Sequence, residues 1–372
     1  MIDTDILVVG AGPAGLSAAA EAARHGARVT VVDENEKPGG QLFKQIHKFF
    51  GSRRHRAGVR GFDIGYALLD EVKSLGVEVM LDTVCYGIFP EGVGLVVSGK
   101  RDVLVEPRRI VLATGASENP LCFPGWTLPG VVGAGAVQTM INVHRVPVGE
   151  RVLMVGSGNV GLIVSYQLLQ SGAQVVGIVE ALPKVGGYGV HAAKVRRAGV
   201  PIYTSHTVVS ALPNSDNTRV KAAVIARLDE NMSPIPGTEK ELDVDTIAIA
   251  VGLTPMTELA FIAGAAFTYS GLLGGHIPLH DEDLMTTVEG LYVAGDVSGV
   301  EEASTALEEG RLAGVAAAAS LGKIPEVEAE EKKREIRESL RDLRTGPFGD
   351  ARARAKEEIV NEMAKRRGKR SA

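Results

Sequence analysis

Residues 6–15 read Ile6-Leu7-Val8-Val9-Gly10-Ala11-Gly12-Pro13-Ala14-Gly15. A short apolar run enters a glycine-rich turn, and an Ala-rich stretch of helical character, Leu16 to His25, leaves it. Gly26 stops that helix, and a β-branched run from Arg28 to Val32 ends in Asp33 and Glu34. Strand, turn, helix and strand within about 30 residues make one β-α-β unit. In this spacing Gly10 permits the tight turn, Gly12 lets main chain approach a pyrophosphate, and Gly15 lets helix and strand pack closely. The phosphates are then expected at the positive end of the helix, beside Pro13 and Ala14. Asp33 stands 18 residues after Gly15, at a strand tip from which a carboxylate accepts hydrogen bonds from ribose hydroxyls.

The same grammar recurs. Arg151 to Val155 leads into Gly156-Ser157-Gly158-Asn159-Val160-Gly161, a helix from Leu162 to Gln170, Gly172 as its stop, and a strand that ends in Glu180. Two copies imply two nucleotide-binding domains. A carboxylate at Glu180 favours a free 2′-hydroxyl and repels a 2′-phosphate, so the second copy is expected to take NAD(H) in preference to NADP(H). A retained fold whose pocket is empty or holds another adenine nucleotide stays open as the alternative.

Outward from these units, the chain of 372 residues is long enough for two or three domains. With 45% apolar and 23% charged residues it is neither disordered nor a small stapled scaffold. Its 45 glycines cluster without a G-X-Y period, which excludes collagen. Aromatics at 5% and an acidic body argue against a nucleic-acid surface. Cys85 and Cys122, 37 residues apart, give no disulfide framework, zinc site or iron-sulfur set, and read as reduced, small buried hydrophobes. No metal is expected, because no histidine has a ligand-spaced neighbour. No basic leader and no run of about 18 apolar residues is present, so neither signal peptide nor membrane span is expected, and the location expected is the cytoplasm. No nucleophile setting such as GxSxG occurs, and the catalytic residues are left unassigned.

Further elements follow from pattern: a helix from Gly65 to Leu75, a meander over 77–105, a helix near 190–198, strands over about 200–230 and a long helix from Glu301 to Leu321. Lys44, His47, Lys48, Arg53, Arg54, His55, Arg56 and Arg60 form a basic stretch suited to phosphates, a carboxylate substrate or an acidic partner, or to plain solvation. Residues 326–372 carry +3 against −8 for the remainder, in two helical segments separated by Gly346-Pro347-Phe348-Gly349. Such a tail is expected to be solvated or to face a partner.

With both glycine loops, Ala113-Thr114-Gly115, Val251-Gly252 and Ala294-Gly295-Asp296 in this order, the chain resembles the pyridine nucleotide-disulfide oxidoreductase superfamily over about residues 1–325. The resemblance implies an α/β fold of two Rossmann-like domains of three-layer ββα type. An NAD domain, 118–252, would be inserted into an FAD domain, 1–117 and 253–325, and the charged helical tail, 326–372, would follow. It implies that the first loop holds the ADP half of FAD and that Thr114 and Gly115 mark the crossing into the NAD domain. Gly252 would mark the return, and Gly295 and Asp296 would hold the ribityl and phosphate side of the flavin. Where members like thioredoxin reductase carry a CxxC, this chain has Gly133-Ala-Gly-Ala-Val-Gln138, so no disulfide step is expected.

Gly39-Gly40-Gln41, Cys122-Phe-Pro-Gly-Trp126 and Glu308-Glu-Gly-Arg311-Leu-Ala-Gly314 resemble a narrower group. These are the nucleotide-binding α subunits of sarcosine oxidase, dye-linked proline and hydroxyproline dehydrogenases, opine oxidases and hydrogen cyanide synthase. That resemblance implies electron transfer between NAD(H) and FAD in a hetero-oligomer or homo-oligomer. Its partners would be a catalytic dehydrogenase, an iron-sulfur protein or both, acting on an amine, amino acid or hydroxy acid. A free-standing NADH-dependent flavin reductase or diaphorase, and a nucleotide-binding structural subunit without turnover, are the competing readings.

Overall fold

The computed structural model describes residues 3–49, 52–99 and 101–370. Contacts divide the chain into two compact units, one of residues 1–117 with 254–372 and one of 118–253. Among the described residues the helices are α1 Pro13–Arg24, α2 Gly61–Ser74, α3 Ala134–Thr139, α4 Asn159–Gln170, α5 Gly189–Arg197, α6 Glu258–Ile262, α7 Ala303–Ser320, α8 Glu326–Leu343 and α9 Asp350–Arg370.

The first unit is built on a parallel five-stranded sheet in the order Leu291–Val293, Arg109–Leu112, Ile6–Val9, Val29–Val32, Glu78–Met80. A parallel sheet is covered on both faces, which is why its central strands are unbroken apolar runs. Ile6 and Val8 pack with α1, α2 and α7, whereas Leu7 and Val9 pack with Val93, Leu95 and Val105 of an antiparallel meander formed by Thr83–Phe89, Gly92–Val97 and Arg101–Val105. Three layers result. Helices α1 and α7 lie with their backbones almost in contact. A Cβ at Gly310 would sit 2.0 Å from Ala14 O, and one at Gly314 would sit 2.3 Å from Ala18 O. The Gly310-x-x-x-Gly314 spacing is therefore a packing requirement.

The second unit repeats this plan. Its parallel sheet runs Val131–Gly133, Thr246–Ile249, Arg151–Val155, Gln174–Glu180, Ile202–Thr204. Val152, Met154 and Ile178 face α3, α4 and α5, while Leu153, Val155 and Val179 face an antiparallel meander formed by His206–Pro213, Val220–Arg227 and Lys240–Asp243. Helix α1 begins at Pro13, where the glycine loop placed its positive end, and α2 begins at Gly61, four residues earlier than its pattern suggested. Proline at the first helical position costs no hydrogen bond, because that N–H has no partner inside the helix.

Two expectations are corrected. The tail is not a solvated appendage: Ala329, Ile336 and Leu340 of α8 join the core of the first unit, and Ala355, Ile359 and Met363 of α9 pack on Leu273, Ile277 and Leu279. Its charges find partners, with Lys333 and Arg337 both paired to Asp283 and Arg367 donating to Asp281 at 2.9 Å. Cys122 is exposed rather than buried. Cys85 lies within the first meander, and burial pushes its thiol up to about 11, which makes it inert.

Candidate nucleotide sites

In the first unit the chain leaves the central strand with Gly10 N donating to Val32 O at 2.8 Å, while Ala113 N donates to Val9 O at 2.8 Å. Gly10 has φ +106°, and a Cβ there would lie 2.3 Å from Ala113 O; one at Gly15 would lie 1.8 Å from Gly10 O. Only glycine satisfies either position. Gly39 N donates to Ala11 O at 2.6 Å, and a Cβ at Gly40 would lie 2.9 Å from Gly12 Cα. Two glycine segments thus close on each other at the start of α1, whose N-terminus has no side-chain cap. An uncapped helix end walled by bare main chain suits a diphosphate.

The acid at the strand tip is turned toward this loop. Asp33 Oδ2 accepts from Ala11 N at 2.6 Å, and Oδ1 accepts from Asn35 N and Nδ2, both at 2.8 Å. Asp33 is buried and braces the turn, whereas Glu34, the next residue, is exposed, as is Gln41 beside Gly40. Thr114 Oγ1 donates to Met256 O at 2.7 Å and Gly115 O accepts from Met256 N at 3.0 Å, which pins the end of the adjacent strand. Asp296 lies on a single 3-10 turn, Gly295–Ser298. A Cβ at Gly295 would lie 2.8 Å from Ala14 Cβ, so this turn rests against the start of α1. Burial pushes the Asp296 carboxyl up to about 6, against the pull of the Glu301 N–H that donates to its Oδ1 at 3.2 Å.

The second unit builds the same loop. Gly156 N donates to Val179 O and Ala250 N to Val155 O, both at 2.7 Å. Cβ atoms at Gly156 and Gly161 would lie 2.2 Å from Ala250 O and 2.1 Å from Gly156 O. The N-terminus of α4, at Gly158, Asn159 and the exposed Val160, has no side-chain cap. Glu180 Oε2 accepts from Ser157 N at 2.9 Å and from Ser157 Oγ at 2.6 Å, and Oε1 accepts from Leu182 N at 2.9 Å. This acid too is buried and engaged with its own loop, and the residue after it is Ala181. Gly252, at φ +111°, accepts from Asn119 N at 3.0 Å.

Sequence reasoning missed Ser157, Gly186, Gly187 and Tyr188. Gly187 N donates to Ser157 O at 2.8 Å, Gly186 N donates to Ser157 Oγ at 3.1 Å, and Tyr188 N donates to Asn159 Oδ1 at 2.8 Å. The signal was present: Gly186-Gly187 begins six residues after Glu180, as Gly39-Gly40 begins six after Asp33.

The segment at the CxxC position holds amides. Gly135 N donates to Glu118 Oε1 at 2.6 Å, and Gln138 Nε2 donates to Gln167 Oε1 at 3.0 Å. In the basic stretch Arg53 and Arg54 are exposed, whereas His55 is buried and lies 3.1 Å from Ser339 Oγ of α8, fastening the tail. Desolvation pushes the His55 imidazole below its usual range. Among the described residues no cluster could hold a metal ion, and no helix is long and apolar enough to cross a membrane.

Known proteins share the sequence pattern and the fold. The pattern that defines the pyridine nucleotide-disulphide oxidoreductases matches residues 4–310. An opine oxidase subunit from Rhizobium meliloti (strain 1021) is 32% identical over 348 residues, covering 86% of this chain and 72% of that one. The alpha subunit of sarcosine oxidase from Corynebacterium sp. (strain P-1) is 28% identical over 86% of this chain, which spans 33% of that relative's length. The crystal structure of T. acidophilum thioredoxin reductase superposes with a TM-score of 0.70 at 21% identity, covering 86% of this chain and 99% of that one, a likeness of fold.

Proposed function

Because the chain belongs to the pyridine nucleotide-disulphide oxidoreductase family, we propose that it passes electrons between NAD(H) and FAD in the cytoplasm. In this reading it is the nucleotide-binding component of a multi-subunit dehydrogenase for amines, amino acids or hydroxy acids. Membership makes it a flavin-type oxidoreductase and implies FAD and NAD(P) binding. The observation that carries the proposal is the pair of uncapped, glycine-floored helix N-termini, one in each unit. The relatives named as oxidase subunits supply the support for partners.

In the first unit Gly10, Gly12, Pro13, Ala14 and Gly15 would hold the diphosphate of FAD through main chain. Glu34 would accept from the ribose hydroxyls while Asp33 keeps the loop in shape, Gly40 and Gln41 would flank the diphosphate, and Asp296 would accept from the ribityl chain. In the second unit Gly156, Gly158, Asn159, Val160 and Gly161 would hold the diphosphate of NAD(H), and the buried charge of Glu180 would disfavour a 2′-phosphate. Bound together, the two cofactors supply a hydride donor and a hydride acceptor, and the protein contributes chiefly by holding them. No acid or base is required of the chain for that exchange, and with Cys122 exposed and Cys85 inert no dithiol takes part. One face of each tail helix packs on the first unit, so a nucleotide-binding structural subunit that meets its partner through residues 326–372 would have to use the opposite, exposed faces.

The test is anaerobic mixing of the FAD-loaded protein with NADH. Bleaching of the flavin visible band is expected; a band that persists at full FAD occupancy refutes electron entry through this chain.

A further inference from the structure

Two helices whose composition assigns them to solvent bring a buried lysine and a partly buried arginine to the turn that carries Asp296. On α9, the Lys356 ammonium donates to Ser298 O and Ser298 Oγ, each at 2.9 Å, and to Glu309 Oε1 at 2.8 Å, one acceptor for each N–H. Just past α8, Arg344 donates to Glu309 Oε1 and to the Glu301 carboxylate, with Nη2 2.6 Å from Glu301 Oε2. Glu309 relays this to the turn: its Oε2 accepts from Gly295 N at 2.9 Å and lies 2.8 Å from Ser298 Oγ. Glu301 N donates in turn to Asp296 Oδ1. Burial opposes ionisation of Glu309, and Lys356 and Arg344 overcome it, so its carboxyl is held well below the usual range.

The charges lead to the same place. Asp296, Glu301 and Glu309 gather three carboxylates around one turn, and that turn rests on Ala14 at the start of α1. Left without counter-charges, they would repel an anionic dinucleotide through a medium of low dielectric constant. Lys356 and Arg344 supply two positive charges at that point, and apolar contacts of Ala355, Ile359 and Met363 fix α9 independently of them. Withdrawing a lysine fully and an arginine largely from water is costly even when they are paired, so their placement beside this turn calls for a use.

We propose that the C-terminal helices are part of the flavin site, with Lys356 and Arg344 as positioning residues that act through Glu309 and Glu301 to hold the turn at 295–302 in its FAD-binding form. The proposal rests on the reading of the first unit as the FAD site.

The test titrates FAD into the apoprotein of the full chain, following quenching of flavin fluorescence and the shape of the visible band, with FAD-free thermal unfolding as the control for folding. Lys356→Met is expected to weaken FAD binding about tenfold or more and to change the band, and Lys356→Arg to recover affinity to within about threefold. Should Lys356→Met yield no folded apoprotein, Ser298→Ala leaves both ion pairs in place and removes the hydroxyl between them; its affinity is expected to fall about fivefold. Wild-type affinity in the folded variants overturns the proposal, as does a loss that Lys356→Arg fails to rescue. A wild-type chain that takes up no FAD refutes the reading beneath it, and the proposal with it.

Discussion

In the first unit the Ala11 N–H meets Asp33 at 2.6 Å, and in the second the Ser157 N–H meets Glu180 at 2.9 Å. Strand registers align Val9 with Val32 and Leu112, and Val155 with Val179 and Ile249, so the two loops leave corresponding points of corresponding sheets. The residues after the bracing acids then correspond, and they are Glu34 and Ala181. On the far strands Val293 corresponds to Gly133, which makes Ala136 the counterpart of Asp296. Main-chain donors suited to phosphates are thus built twice, whereas at these two compared positions the first unit has carboxylates and the second has alanines. A peptide N–H reads a phosphate whatever side chain it carries, so that half of the recognition survives sequence divergence.

The severest way to break this comparison is to add one methyl group to either loop. Gly10→Ala and Gly156→Ala each drive a Cβ to within about 2.3 Å of a carbonyl oxygen at a positive φ. Each is expected to destabilise its own unit by about 3 kcal/mol or more, read by urea unfolding with a probe in each unit. A loss below about 1 kcal/mol in either would show that its loop is not closed as described.

Asp296 sharpens the contrast through pH. Its folded-state pKa is raised from 3.8 to about 6, mainly by burial, with Glu309 and Glu302 adding to the rise and Lys356 and the Glu301 N–H opposing it. The folded apoprotein therefore binds the proton more tightly than the unfolded chain does. The stability this contributes is complete below about 3.8 and is lost as pH rises through about 6. Asp296→Asn is expected to stabilise the apoprotein by about 2 kcal/mol at pH 8 and to change little at pH 3.5, while lowering FAD content. Equal urea midpoints for the two proteins at pH 8 would contradict a buried, ionised Asp296.

Glu34→Ala is expected to weaken FAD binding by about 1.5–2 kcal/mol, the loss of hydrogen bonds to a charged acceptor, with apoprotein stability unchanged. Unaltered FAD affinity would return the ribose to Asp33. The smallest effect is expected from Ala181→Glu, which supplies the second unit with the acid it lacks. NADH should bind about fivefold tighter and NADPH no tighter, by titration of nucleotide fluorescence. Equal gains for both nucleotides would argue that position 181 does not face the ribose.

Much of this was legible in the residues. Gly10 and Gly15, and Gly156 and Gly161 in the repeat, mark close backbone approach, and only glycine meets that local requirement, so it is written into the chain. The sheets were legible for a similar reason, since unbroken runs such as Ile6–Val9 must be buried on both faces. The aim of Asp33 was not legible, because an acid at a strand tip can turn to the loop or to a ligand and its neighbours in sequence do not choose between them. Gly186-Gly187 was legible only once the two loops are set side by side.

The tail marks the boundary most clearly. Its helices and the break at 346–349 follow from pattern, and Ala329, Lys333, Ile336 and Leu340 even fall on one face of α8. Composition could not say that the face is buried, because a lysine interrupts its short apolar stripe and is accommodated only where folding brings a carboxylate to it. The carboxylate partners, Asp283, Glu301 and Glu309, lie 35 to 50 residues away from the Lys333 and Arg344 that meet them. By itself the sequence determined the two main-chain loops and the strands that feed them, since glycine conformation and apolar runs act over a few residues. Only the tertiary structure decided which acids face a ligand and where the charged helices lie, since a charge is placed by the counter-charge that folding brings to it.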